Sequence, residues 1–359
     1  MTIQFMDDFT GYGTDAGRVA RMLNGAYAET TRSDLVVDPD ATAGGGFVAN
    51  SFPGGLGAST RRVLSSTQTT IGLAARYWLT SLPATITQNP VLAMFTDINN
   101  NQHIRVMCNP AGYLEVSRLD SGGVWTLIGT TTVPVMTANS WKHVETKVFL
   151  DGTLGTVQIR LEGAVVLNLS ALRTTSNVVS VAATCAQVWF GAGADGSGPQ
   201  MNLKDFIVWD GTGAVNKDFL GTCQVFKIIP DADISLNWTP NTGVVGFSKV
   251  NETTPDDDTG YVSAPFPLPA AMQLNLSDLP TNVTIVKGVQ TVHRSRKADA
   301  GDGNIQAGLI SGANTGVGVN RPITTAYTYW VDVFDQDPSG GSWSKTLVNA
   351  LKLKLDRTV

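Results

Sequence analysis

KDFIVWDGTGAVNKDFLGT, residues 204–222, begins as a strand and then loses its pattern. Phe206, Val208 and the step from Trp209 to Asp210 read as a half-buried strand, and Gly211 to Gly213 break it. A second apolar run, CQVFKIIP, starts at Cys223. The stretch is either one sheet turning a corner or the seam between two domains. The rest of the chain decides which.

A chain of 359 residues is long for one ordinary β domain and comfortable for two. Hydrophobic residues make up 42%, enough for a substantial core, while charged residues are only 15% against about 25% in an average protein. The 37 glycines supply many tight turns, and few stretches repeat apolar residues at helical spacing. This is the profile of a β-rich protein. A net charge of −5 argues against nucleic-acid binding, which needs a concentrated basic face. The basic cluster HRSRK, with Arg294, Arg296 and Lys297, alternates along an expected strand and reads as a solvated sheet face.

Cys108, Cys185 and Cys223 have no metal-like spacing and are expected as buried thiols rather than a disulfide framework. The opening MTIQFMDDFTGYG lacks a basic segment followed by an apolar run, so no signal peptide is expected and the chain is expected to be made in a cytoplasm. No run approaches the roughly 18 apolar residues of a membrane span, so no membrane insertion is expected.

Short strand candidates recur between Gly, Asn, Asp and Pro clusters, as in all-β sandwiches. TIGLAARYWLT (70–80) alternates; VLAMFTDINNNQHIRVMCN (91–109) reads as strand, polar turn, strand; GYLEVSRLDSGGVWTLIGT (112–130) repeats the device. In WKHVETKVFL (141–150) charged and apolar positions alternate, as on a sheet with one wet face. Turns at Asp151–Gly152 and Glu162–Gly163 then make a three-strand meander. AQVWFGA (186–192) and NLKDFIVWD (202–210) complete this set. A second set follows in CQVFKIIP, VVGFSKV, YVSAP, AMQLNLSDLP, NVTIVKGVQTVHRSRK, IQAGLIS and TAYTYWVDVF. Near the end SWSKTLVNAL offers one short helix, capped by Ser342 or Ser344, before a last strand KLKLDR. The pattern lost after Asp210 therefore reads as a linker. The expected organisation is a first sandwich over 1–212, a linker over 213–222, and a smaller second sandwich with the C-terminal helix over 223–359.

The meander resembles the laminin-G or concanavalin A-like jelly roll, through Trp141, His143 and Val144, then Val157 to Gly163. Lys204 to Asp210 is similar to that fold's closing strand, and FMDDFTGY (5–12) to the first strand, which pairs beside it. The whole chain also resembles a family of tailed-bacteriophage structural proteins. The matching residues are VWDGTG (208–213), DFLG (218–221), Val225, DDDTGY (256–261), and Val289–Gln290 followed by Arg294, Arg296, Lys297, Asp299, Ala300 and Gly301. It departs at Thr259–Gly260, where the family has one residue before the tyrosine. The resemblance implies a place in a virion, at the tail tip, a fibre or the head surface. Its implied partners are other virion proteins and further copies of the chain.

Enzymatic chemistry is not expected. Glutamates stand only at 29, 115, 145, 162 and 252, too far apart for the paired carboxylates of a glycosidase strand. The histidines His103, His143 and His293 are single, away from any nucleophile elbow or zinc-ligand pattern, and read as structural. Calcium is the one cofactor the acidic turns suggest, with Asp256 and Asp258 as candidate ligands of the DDD run. Trp125, at a hairpin shoulder, and Trp238, in NWTPN, are the candidate glycan contacts. The leading expectation is thus a non-enzymatic virion structural protein presenting a lectin-like domain. The alternative is a carbohydrate-binding adhesin that recognises host-surface glycan through the jelly roll.

Overall fold

The computed structural model describes residues 3–12, 17–27, 29–30, 36–37, 47–49, 59–177, 182–191, 199–252, 254–264, 270–299 and 301–358. The chain is nearly all β, and it divides into two compact units. The first comprises Met1–Thr10, Ala16–Leu23 and Tyr27–Val225, the second Gly11–Asp15, Asn24–Ala26 and Phe226–Val359. Among the described residues no helix is long and apolar enough to cross a membrane.

The first unit begins with β1 (Ile3–Asp7), helix α1 (Arg18–Leu23), β2 (Glu29–Thr30), β3 (Val36–Val37) and β4 (Phe47–Ala49). Long strands follow as β5 (Ser59–Gln68), β6 (Thr70–Leu79), β7 (Val91–Thr96), β8 (Gln102–Cys108), β9 (Leu114–Leu119) and β10 (Trp125–Thr130). It ends with β11 (Lys142–Phe149), β12 (Gly155–Leu161), β13 (Ala164–Leu172), β14 (Cys185–Gly191) and β15 (Met201–Asp210). An eight-stranded sheet runs β13-β12-β11-β6-β15-β4-β3 with β1 also on β15, and a seven-stranded sheet runs β10-β9-β8-β7-β14-β5-β2. The chain crosses between the two sheets at β4–β5, β5–β6, β6–β7, β10–β11, β13–β14 and β14–β15, with the meanders β7–β10 and β11–β13 in between, which gives a jelly-roll sandwich.

Period-two alternation sorts the side chains of both sheets. Tyr77, Leu73, Val148 and Val208 from one sheet, with Ile104, Val106, Phe95 and Val188 from the other, are buried between the layers. Phe5, Phe206, Phe190, Phe9 and Tyr27 form a ring cluster at one end, with Phe190 and Phe206 centred 4.8 Å apart. The turns carry the residues that left-handed backbone requires. Asn100 joins β7 to β8, Gly123 joins β9 to β10, and Glu162 and Gly163 join β12 to β13, all at positive φ. Cys108 and Cys185 lie in the core, and burial pushes both thiols up to about 12.

The second unit contains β16 (Pro230–Leu236), β17 (Thr239–Pro240), β18 (Val262–Ser263), β19 (Ala270–Leu276) and β20 (Val289–Ser295). These are followed by β21 (Asn304–Ser311), β22 (Asn314–Val317), β23 (Arg321–Pro322), β24 (Thr328–Phe334), helix α2 (Lys345–Asn349) and β25 (Lys352–Arg357). A six-stranded sheet, β16-β19-β25-β21-β22 with β23 on β21, is accompanied by two ribbons, β17–β18 and β20–β24. Met272, Leu274, Ile305, Ala307 and Leu355 build the sheet's buried face, and Trp330 of the β20–β24 ribbon packs on them. Ser344 caps α2, accepting the Leu347 amide at 3.2 Å, and Trp343 and Val348 are buried as the apolar stripe requires.

Three local expectations differ from what forms. CQVFKII does not pair, and β16 starts only at Pro230. VVGFSKV forms a 3-10 turn at Phe247–Lys249 instead of a strand, because the Asp233 carboxylate accepts the Gly246 and Phe247 amides and Phe247 turns into the core. Residues 213–222, expected as a linker, fall within the first unit, and early residues fall within the second, where the Tyr329 amide donates to Asn24 O.

Candidate functional site

The two sheets of the first unit each have an outer face, and the side chains there differ in what surrounds them. On the eight-stranded sheet the outward positions are Arg76 on β6, His143, Glu145 and Lys147 on β11, Arg160 on β12 and Trp209 on β15, as the pairing His143↔Arg76, Glu145↔Arg160 and Trp209↔Gly72 requires. Residues 211–225 run across them as a strap. A Cβ at Gly72 would overlap the Trp209 ring, so glycine is what lets that indole lie flat on the sheet. Phe219 packs edge-on to Trp209, and the Arg160 guanidinium stacks 3.9 Å from the Phe219 centroid. Lys147 pairs with Asp218 at 2.9 Å.

Glu145 fastens the middle of the strap. Its Oε1 accepts the Leu220 amide at 2.9 Å and the Gly221 amide at 3.0 Å. Burial raises this carboxyl above its ordinary range, against the two amides and Arg160, which favour the charged form. Asp205 fastens the end. A bulge in β15 puts Asp205 at φ 53° and turns its side chain outward, where Oδ1 accepts the Val225 amide at 2.9 Å and Oδ2 lies 3.2 Å from Arg76 Nε. The motif VWDGTG…DFLG…V is therefore spent on closing this face. His143, on the same face of β11, is fully buried, and among the described residues neither ring nitrogen is hydrogen-bonded. Burial first, then Arg76, pushes it down to about 4.

The seven-stranded sheet presents a different outer face. Its register sets six side chains in one row across six strands: Arg61, Trp189, Met94, Arg105, Ser117 and Leu127. Trp125, two residues before Leu127, joins this face, and the Arg105 guanidinium stacks on its ring at 4.1 Å. At the other end Arg61 stacks over Trp189 at 5.0 Å and donates to Gln187 Oε1 at 2.8 Å, while Trp189 Nε1 donates to Thr96 at 3.2 Å. Trp125, Trp189, Arg61 and Arg105 are all half-buried.

Arg105 stands apart. Among the described residues its side chain makes no hydrogen bond and no ion pair, and its Nε is buried without a partner. Burial lowers its pKa to about 10, with the Glu115 charge acting the other way. Glu115 does not close on it and instead accepts Asn109 Nδ2 at 2.8 Å. A half-dehydrated guanidinium without a counter-ion is costly in an isolated domain and marks a candidate binding site. His103, on the same strand, is structural: Nδ1 accepts the Ser176 amide at 3.0 Å and Nε2 donates to Thr184 O at 3.1 Å, so the ring is neutral.

The residues expected from sequence are not gathered in one place. Trp125 lies on this face with one ring surface under Arg105. Trp238 lies in the core of the second unit at 7% exposure, so its ring is not offered to a sugar. The DDD run meets the HRSRK strand. Asp257 takes Arg294 through two bonds of 2.7 and 3.0 Å, and Asp258 accepts Arg296 at 2.5 Å and Tyr327 at 3.0 Å. Asp256 accepts the Gly260 amide at 3.0 Å. Asp257 and Asp258 thus already have cationic partners, and the basic strand is not simply solvated. Among the described residues no group of three or more His, Cys, Asp or Glu is placed to hold a metal ion. The residues that sequence reasoning missed are Arg61, Arg105 and Trp189. The visible signal was a charged residue at the centre of the otherwise apolar alternation HIRVMC.

No family model and no curated protein matches the chain. Among solved structures it is similar to the carbohydrate binding module CBM66 from Bacillus subtilis, at 10% identity and a TM-score of 0.34, covering 52% of this chain and 97% of that one. It is similar to alginate lyase A1-II′ of polysaccharide lyase family 7, at 13% identity and 0.36, covering 50% and 83%. It is also similar to the metal-free carbohydrate recognition domain of Emp46p, at 6% identity and 0.38, covering 57% and 96%. At these TM-scores the likenesses carry no argument about function.

Proposed function

We propose that the chain is a non-enzymatic attachment protein that binds host-surface carbohydrate through the outer face of the seven-stranded sheet. The observation that carries this reading is the row in which Arg105 stacks on Trp125 with no counter-charge paired to it among the described residues, two strands from the Arg61–Trp189 pair. Aromatic rings beside amide and guanidinium donors suit sugars, which offer apolar ring faces and a rim of hydroxyl groups. A binding role is further supported by what the polar groups elsewhere in the unit do. Both nitrogens of His103 are bonded, Glu145 is held by the strap amides, and His143 is fully buried. A glycan array with the full chain tests it. Saturable binding to one sugar class, lost in Trp125→Ala with the thermal melt intact, is the expected result; no saturable binding to any class removes the reading.

Placement in a tailed-phage virion, at the tail tip, a fibre or the head surface, is supported by the matching motifs at 208–225 and 289–301. Gold-labelled antibody against the chain, viewed on particles by electron microscopy, is expected to decorate a fixed position. Unlabelled particles would remove the virion assignment and leave the binding face untouched.

A further inference from the structure

We propose that the ligand of the seven-stranded face is an acidic glycan bearing carboxylates, and that Arg105 is the residue that receives the carboxylate. This rests on the glycan reading above and narrows it to a chemical class. Four observations lead there.

The first is the missing counter-ion. Arg105 has no hydrogen bond or ion pair among the described residues, although it sits mid-sheet, half-buried, with its Nε shielded from water. A neutral sugar would bury the guanidinium further and leave its charge uncompensated, whereas an anion offsets that cost. The second is orientation. The Arg105 guanidinium carbon lies over the Trp125 ring, 4.1 Å from its centroid, and the N–H edge has no protein acceptor among the described residues. That edge is a planar fork, which two carboxylate oxygens match with parallel bonds.

The third is the second cation. Arg61, at the far end of the row, already holds Gln187 and Asn100 and stacks on Trp189. Both ends of the row are therefore cation over indole. Arg105 and Trp189 are separated by two strand spacings, roughly 10 Å. A chain of sugars spans that distance and a single sugar does not. The fourth is Glu115, whose charge acts on Arg105 although the two do not pair, its carboxylate being held by Asn109. Glu115 opposes an incoming carboxylate and tempers affinity.

The test uses the folded full chain and three polymers: polygalacturonate, dextran sulfate and neutral dextran, followed by calorimetry. Saturable binding to polygalacturonate is expected, at least ~10-fold weaker in Arg105→Met, as loss of a charge-assisted pair implies. Arg105→Lys, which keeps the charge and loses the fork, should fall in between, and Glu115→Gln should bind ~3-fold more tightly. A merely structural Arg105 would not produce that tightening. Equal binding to dextran overturns the carboxylate assignment and leaves the glycan reading standing; equal binding to dextran sulfate also overturns it, in favour of sulfate. Unchanged affinity in Arg105→Met overturns the residue's role, and silence with all three polymers overturns the acidic-glycan assignment, while the glycan reading stands or falls with the array.

Discussion

The two outer faces of the first unit look alike in sequence and differ in the folded protein. One carries His143, Glu145 and Lys147 along β11; the other carries Arg105 and Met107 along β8. Each reads as an alternating strand with a wet side. On the eight-stranded sheet a later stretch of chain returns to cover the wet side, and its charges find partners in the strap. On the seven-stranded sheet Arg105 has none among the described residues. Alternation thus locates a face, and the ledger of partners tells whether the protein has already used it.

The comparison can be broken most forcefully at Glu145. Glu145→Ala leaves the Leu220 and Gly221 amides without their acceptor and Arg160 without its charge, and is expected to cost about 3 kcal/mol in urea unfolding. A loss under about 0.5 kcal/mol, the size of an ordinary surface change, would mean that the strap does not depend on this anchor.

Acid should act on the same closed face. His143 is held neutral, at about 4 instead of 6.5, so the unfolded chain takes up a proton before the folded one does. The stabilisation is full above pH 6.5 and disappears as pH falls through that value towards 4, a change of up to about 3 kcal/mol. His293 in the second unit is also held at about 4 by burial and acts in the same window there. Urea midpoints measured from pH 7 to 4 check this, and His143→Leu should flatten the slope of the first unit. A midpoint independent of pH over that range would show that neither ring is sealed.

The smallest effect is expected on the open face, with the opposite sign. Arg105→Met removes a half-buried cation that has no hydrogen bond or ion pair among the described residues and keeps an apolar side chain beside Trp125, so the unliganded protein should gain up to about 1 kcal/mol in thermal or urea unfolding. A clear destabilisation would mean that the guanidinium holds the sheet together, and the contrast between the two faces would fail.

Much of the architecture could be read from local signals. The hairpins at Asn100, Gly123 and Glu162–Gly163 come from turn chemistry, the β11–β12–β13 meander from alternation, and the α2 cap from Ser344. The pairing of β1 beside β15 followed from the family resemblance. What escaped depends on residues far apart in the chain. GTGAVNKDFLGT looks like a linker because it lacks periodicity, yet its order comes from Glu145 and Lys147, neither of them local. The acidic run at 256–258 reads locally as a cation site, whereas the pairing of Asp257 with Arg294 and of Asp258 with Arg296, 37 and 38 residues away, is invisible to any local window. The Arg61–Trp189 pair is fixed by a register between strands more than a hundred residues apart, beyond the reach of any window of sequence.

The strap gives one more handle, through sulfur. Cys108 and Cys185 hold their thiols in the interior, protonated at neutral pH, and are slow to react with alkylating or oxidising agents. Cys223 sits on the strap itself, half-buried, with Sγ directed at Leu220 O at 3.5 Å. A maleimide dye directed at this native position therefore reads the strap's own exposure of Cys223, and faster attachment in Glu145→Ala would report the loss of that anchor, with no engineered cysteine required.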